Sequence, residues 1–137
     1  MKRLVRFALV GIALLVALPA CRAASAEPGE RTVHITIHFS RFSPEQVQVL
    51  PGQTVRFVVR NTDPIDHEFI LGDARVQLVH EKGTEPTHAP RPGEMSVPAG
   101  TTQLTTYTFP ALPGSLEFAC HLPGHHAYGM HGTVSFD

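Results

Sequence analysis

The sequence predicts an all-β fold, a Greek-key sandwich of about seven or eight strands behind an N-terminal export segment. Three observations predict it. Segments such as 32–39 and 102–109 alternate with a period of two, the signature of strands with one buried face. Proline and glycine, 12 and 11 of 137 residues, cluster between such segments as turn signals. No stretch after residue 27 carries a convincing helical period, and short strands with regular turns pack as two facing sheets.

The first element lies outside that sandwich. Met1-Lys-Arg-Leu-Val-Arg6 is basic, and the twelve apolar positions 7–18 are too few to span a bilayer, so residues 1–26 read as an export signal peptide. Two processing sites stand open. Ala24-Ser25-Ala26 is a small-x-small cleavage site, whereas Leu18-Pro-Ala-Cys21 has the form of a lipobox that would make Cys21 a lipid anchor. Residues 27–137 then form a single domain of a size that supports one modest core.

Within that domain, residues 32–39 place Val33, Ile35, Ile37 and Phe39 on one face and Thr32, His34, Thr36 and His38 on the other. A weaker alternation at 46–50 stops at Pro51-Gly52, and the β-branched and aromatic run 54–60 follows. Segments 67–71 and 75–79 read as short strands around Gly72-Asp73. Residues 80–93 read as a long loop, of a length that is commonly functional. Alternation returns at 102–109, residues 110–114 turn, 115–120 form the penultimate strand and 132–136 the last.

The chemistry concentrates in Phe118-Ala-Cys-His-Leu-Pro-Gly-His-His-Ala-Tyr-Gly-Met130. Cys120, His125 and Met130 present a thiolate, an imidazole and a thioether with four residues between each. Soft sulfur donors with imidazole select copper over harder cations, and Cys and His with a weak axial Met is an electron-transfer combination. A further His is needed, and His67 in Asp-Pro-Ile-Asp-His-Glu-Phe is the candidate. Cys120 is also the sole cysteine beyond residue 21, so it has no disulfide partner within the domain. A lone thiol in an oxidising compartment calls for an occupant such as a metal.

The pattern Phe-x-Cys-x-x-Pro-Gly-His-x-x-x-Gly-Met-x-Gly-x-Val resembles the C-terminal ligand loop of the cupredoxins, the type 1 blue copper proteins of the plastocyanin and azurin kind. Residues 42–61, ending at Asn61, are similar to that family's opening strands, and the resemblance spans roughly residues 31–137. It implies one mononuclear copper site with His67, Cys120 and His125 as equatorial ligands and Met130 as the axial one. It further implies that the backbone amide of Glu68 hydrogen-bonds the Cys120 sulfur. Asn61 would tie the ligand loops together. Pro123-Gly124 sets a tight turn aiming His125 inward, and Gly129 allows close backbone approach.

The remaining histidines read differently. His121, His126 and His131 flank the candidate ligands and are expected at the surface. His34 and His38 share the polar face of the first strand. His80 and His88, with Glu81 and Glu85 between them, have ligand chemistry suited to zinc or copper(II), against a reading as a plain solvated loop.

Charge and pattern narrow the function. The net charge of −1 becomes −5 once cleavage after Ala26 removes Lys2, Arg3, Arg6 and Arg22 from 11 basic residues against 12 acidic ones. An acidic surface argues against nucleic acid and suits a basic patch on a redox partner protein. The leading expectation is an exported monomeric electron carrier, periplasmic, cell-surface or secreted, touching membrane only through a lipid at Cys21. Copper delivery or storage is the alternative. An oxidase is disfavoured, because no His-x-His pair flanks Cys120 to build a further copper cluster.

Overall fold

The computed structural model describes residues 29–83 and 89–137. The expected export signal, Cys21, Glu85 and His88 lie outside the described residues. Nine strands and one helix follow in the order β1 (Arg31–His38), β2 (Arg41–Ser43), β3 (Gln46–Val49), β4 (Thr54–Asn61), β5 (His67–Gly72), α1 (Ala74–Glu81), β6 (Glu94–Val97), β7 (Thr102–Thr108), β8 (Gly114–Ala119) and β9 (His131–Phe136). One sheet runs β2-β1-β4-β7 and the other β3-β9-β8-β5-β6. The pairs β1·β4 and β3·β9 are parallel and the rest antiparallel, so the chain crosses between sheets as the predicted Greek-key sandwich requires.

Alternation places the core between the sheets. Val33, Ile35 and Ile37 of β1 and Val55, Phe57 and Val59 of β4 are buried against Phe69 and Leu71 of β5, Phe118 of β8 and Val134 and Phe136 of β9. Phe42, Phe69 and Phe118 meet ring to ring, with centroids 5.2–6.1 Å apart. Such aromatic contacts add roughly 0.5–1.5 kcal/mol each beyond the area they bury. Phe118, Phe69 and Phe42 therefore pack as one aromatic group within the same buried cluster as Cys120 and Met130.

Two expectations fail. Residues 75–79 are helical, not a strand. Asp73 closes β5 as an N-cap, its Oδ1 accepting from Arg75 and Val76 amides at 3.0 Å, so the Gly-Asp turn signal was the start of a helix. Helix α1 packs on the outer face of the second sheet. There the buried Gln77 donates through Nε2 to the carbonyls of Glu117 at 2.8 Å and Ile70 at 3.1 Å.

Phe39 does not continue the buried face of β1. It is 81% exposed, because the strand ends at His38 and both Phe39 and Ser40 adopt left-handed backbone (φ 49° and 52°). That costly pair turns two successive amides inward, onto the carboxylate of Asp63 at 2.7 and 2.8 Å.

Candidate metal centre

Three ends of secondary structure converge at one end of the sandwich. His67 opens β5, on the inward face that Phe69 and Leu71 continue; Cys120 follows the last residue of β8; Met130 precedes the first residue of β9. His67, Cys120 and Met130 are buried and His125 is half-buried. His125 Nδ1 lies 3.2 Å from Cys120 Sγ, His67 Nδ1 lies 4.0 Å from it, and the two Nδ1 atoms are 3.3 Å apart. All three donor atoms fall within 4.8 Å of one another, the one such group among the described residues.

The loop from Cys120 to Met130 is folded by its own backbone. Leu122, Pro123, Gly124 and His125 make a turn in which the His125 amide donates to Leu122 O at 2.9 Å. Gly124 takes φ 84°, as a proline-glycine centre demands. Met130 N–H reaches His125 O at 3.0 Å and Cys120 N–H reaches Met130 O at 3.1 Å, so the three residues are pinned to one another through the main chain. Gly129, at φ 89°, leaves room where a side chain would meet the Arg41 guanidinium, which donates to Tyr128 O. The close approach anticipated at Gly129 is thus to Arg41 of β2.

The surroundings fix each donor. The Glu68 amide donates to Cys120 Sγ at 3.3 Å, as the resemblance implied. Asn61 is buried, donates to Ile65 O at 2.8 Å and Val97 O at 2.9 Å, and accepts from the Asp63 amide at 2.9 Å, joining the segments on either side of His67. His67 Nε2 lies 3.0 Å from Asp63 Oδ2, which leaves Nδ1 facing the sulfur.

Electrostatics follow from this packing. Burial pushes the Cys120 thiol up to about 11, against amide hydrogen bonds from Leu122 and Glu68 that pull it down and the Glu68 carboxylate that pushes it further up. Burial first, and then the charge of His67, lower the His125 pKa and favour the neutral ring a metal needs. Burial opposes ionisation of Asp63, but the Ser40 and Phe39 amides and His67 outweigh it and hold the carboxyl below its usual range.

The donor set fits copper. A four-coordinate ion with bonds of about 2.1 Å sets its donors about 3.4 Å apart, close to the separations found here. Thiolate and imidazole together, with a buried thioether in the same loop, match the softness of copper better than that of calcium or magnesium.

Other histidines depart from expectation. His121 is half-buried rather than surface-exposed, and its side chain is enclosed: only 2% of it is accessible, with Nδ1 2.8 Å from Glu81 Oε2 and Nε2 2.7 Å from Gln77 Oε1. The helix that sequence reading missed covers it. His80 lies in that helix, its Nδ1 2.9 Å from Val76 O and its Nε2 3.6 Å from Glu94 Oε2. Sequence reading also passed over Asp63, whose signal was Asn61-Thr-Asp63, an Asx-type turn just ahead of the candidate ligand.

Comparisons agree with the fold and its chemistry. A cupredoxin-like domain profile matches residues 11–134. The copper-resistant cuproprotein CopI of Rubrivivax gelatinosus is 37% identical over 121 residues, 85% of this chain and 72% of its own length. CopI of Pseudomonas aeruginosa is 29% identical, over 82% of this chain and 79% of its own. Auracyanin A, a blue copper protein from Chloroflexus aurantiacus, superposes with a TM-score of 0.63 at 22% identity, over 79% of this chain and 99% of its own. The chain belongs to the cupredoxin-like family, and its cofactor is copper.

Proposed function

We propose that the chain is a type 1 copper protein that carries single electrons outside the cytoplasm, with His67, Cys120 and His125 as equatorial ligands and Met130 as the axial one. The observation that carries this reading is the grouping of His67 Nδ1, His125 Nδ1 and Cys120 Sγ, with the Glu68 amide donating to the sulfur. Bound there, copper supplies a one-electron couple. The chain's part is to hold the donors still through electron transfer. Strand ends, the self-bonded loop and the Asn61 and Asp63 contacts each remove a way for the site to rearrange. The protein acts as a monomer, serves redox partner proteins rather than nucleic acid, and catalyses no reaction of its own. Any lipid anchorage is through Cys21.

A second reading, copper delivery or storage, is favoured by the names of the CopI relatives, which are described as copper-resistant. Exchange experiments separate the two. A carrier keeps its ion in the presence of a competing copper(I) chelator and cycles between oxidation states; a delivery protein surrenders it.

The test of the site is an absorption spectrum with one equivalent of copper(II). An intense visible thiolate-to-copper band is expected, and Cys120→Ser should abolish it while far-UV circular dichroism stays that of the parent. Persistence of the band in that variant would falsify the ligand assignment.

A further inference from the structure

Each of Cys120, His125 and Met130 is followed by a histidine, and the three rings form a row on the outer face of the second sheet. His121 and His126 lie with centroids 5.1 Å apart, and His126 and His131 5.3 Å apart. The row is not uniform. Both nitrogens of His121 are engaged by Glu81 and Gln77, and its ring is closed off from solvent. His126 and His131 are open, with side chains 34% and 50% exposed, and both turn toward one carboxylate. Glu117 Oε1 stands 2.9 Å from His126 Nε2 and 3.8 Å from His131 Nδ1.

The local structure explains the convergence. Glu117 pairs with Thr133 and Ala119 with His131 across β8 and β9, so Glu117 and His131 are diagonal neighbours on one face. His126 is brought down onto them by the turn at Leu122–His125. A solvent-open groove of about 420 Å³, lined by Asp73, Glu117, His131 and Thr133 among others, leads to the same carboxylate.

We propose that Glu117, His126 and His131 form a second, solvent-facing copper(II) site, separate from the buried centre and independent of its ligands. Two imidazoles and a carboxylate are a borderline donor set, and among divalent first-row ions copper(II) binds such a set most tightly. The three donors are not yet as close as those of His67, Cys120 and His125. Binding replaces the His126–Glu117 hydrogen bond with two metal bonds and draws in the exposed His131 by side-chain rotation. Water completes the coordination through the groove. Lacking a thiolate, the site gives a tetragonal copper(II) signal and no intense visible band.

The test uses the protein already loaded with one equivalent of copper, titrated with a second and followed by calorimetry and electron paramagnetic resonance. A second equivalent is expected, with a tetragonal signal added to that of the buried centre. The His126→Gln/His131→Gln variant should lose it by more than about a hundredfold in affinity, beyond what removal of an outer-shell partner costs, with the visible band unchanged. Glu117→Gln, which removes the one anionic donor, should weaken it by at least about a hundredfold, again beyond the cost of losing an outer-shell partner. Cys120→Ser should lose the visible band yet keep the second equivalent, so failure of the buried site and failure of this one are distinguishable. A parent protein that takes up no second equivalent, or a double variant that binds it as the parent does, overturns the proposal.

Discussion

Asp63 Oδ2 lies 3.0 Å from His67 Nε2, and the same carboxylate receives the amides of Phe39 and Ser40. A distant turn between β1 and β2 therefore governs which nitrogen of a candidate ligand faces the sulfur. A carboxylate behind a metal-bound imidazole also raises the basicity of that ring. Asp63→Asn should weaken copper(II) binding by roughly 10–100-fold and raise the reduction potential, since copper(II) gains more than copper(I) from the added negative charge. Voltammetry and a copper(II) titration check both. An unchanged potential would show that Asp63 is only structural.

Copper binding should depend on pH through Cys120. Below about 11 the thiol keeps its proton in the metal-free protein, and ligation must displace it. Apparent affinity should thus rise about tenfold per pH unit across the neutral range. Metal-free stability should behave in the opposite sense on the alkaline side. The unfolded thiol ionises near 9.0 while the folded one holds its proton to about 11, so folding weakens by about 1.4 kcal/mol per pH unit between those values. Denaturant titrations of the parent and of Cys120→Ala should differ by a constant amount below that window, and the difference should change with pH only within it.

If Met130 is the axial ligand proposed above, Met130→Leu should retain copper and the visible band, because such a bond is long and weak, while the reduction potential rises with loss of a donor to copper(II). Met130 is fully buried, and leucine fills nearly the same volume, so stability should change by less than about 1.5 kcal/mol. Complete loss of copper would mean that the thioether is a strong ligand.

Gln77→Leu tests the helix that covers His121. It strands carbonyls of Glu117 and Ile70 and removes the acceptor facing His121 Nε2. A loss of roughly 1–3 kcal/mol is expected from the unmet buried groups, read as a lower midpoint in thermal or urea unfolding. Equal stability would show that water enters behind α1.

What could be read from sequence, and what could not, follows from the range of the interactions. Strands β1 and β7 announced themselves by local alternation, β4 by its β-branched and aromatic run, and the Cys120–Met130 loop by residue types that few other functions require together. The Pro123-Gly124 turn was legible for the same local reason, and Asn61 through the resemblance of residues 42–61 to the family's opening strands. Helix α1 was hidden because its one strong signal, Asp73, serves a turn as well as a cap, and because the side chain it buries is the polar Gln77 rather than an apolar stripe. His121 was misplaced because alternation was carried past Ala119, where β8 ends. Phe39 failed likewise, one residue beyond β1. Asp63 had a local mark in its turn with Asn61, but the amides that hold its carboxylate lie some twenty residues away, beyond any periodic pattern.

The depth of Cys120 bears on how the protein survives without its metal. Oxidants and disulfides are attacked by thiolates that can reach them, and Cys120 is fully buried and largely protonated at neutral pH. The empty chain should therefore outlast a typical free cysteine against peroxide or mixed-disulfide formation, ageing slowly until copper arrives. Its shelf life is set by how often the Cys120–Met130 loop opens rather than by the intrinsic reactivity of sulfur.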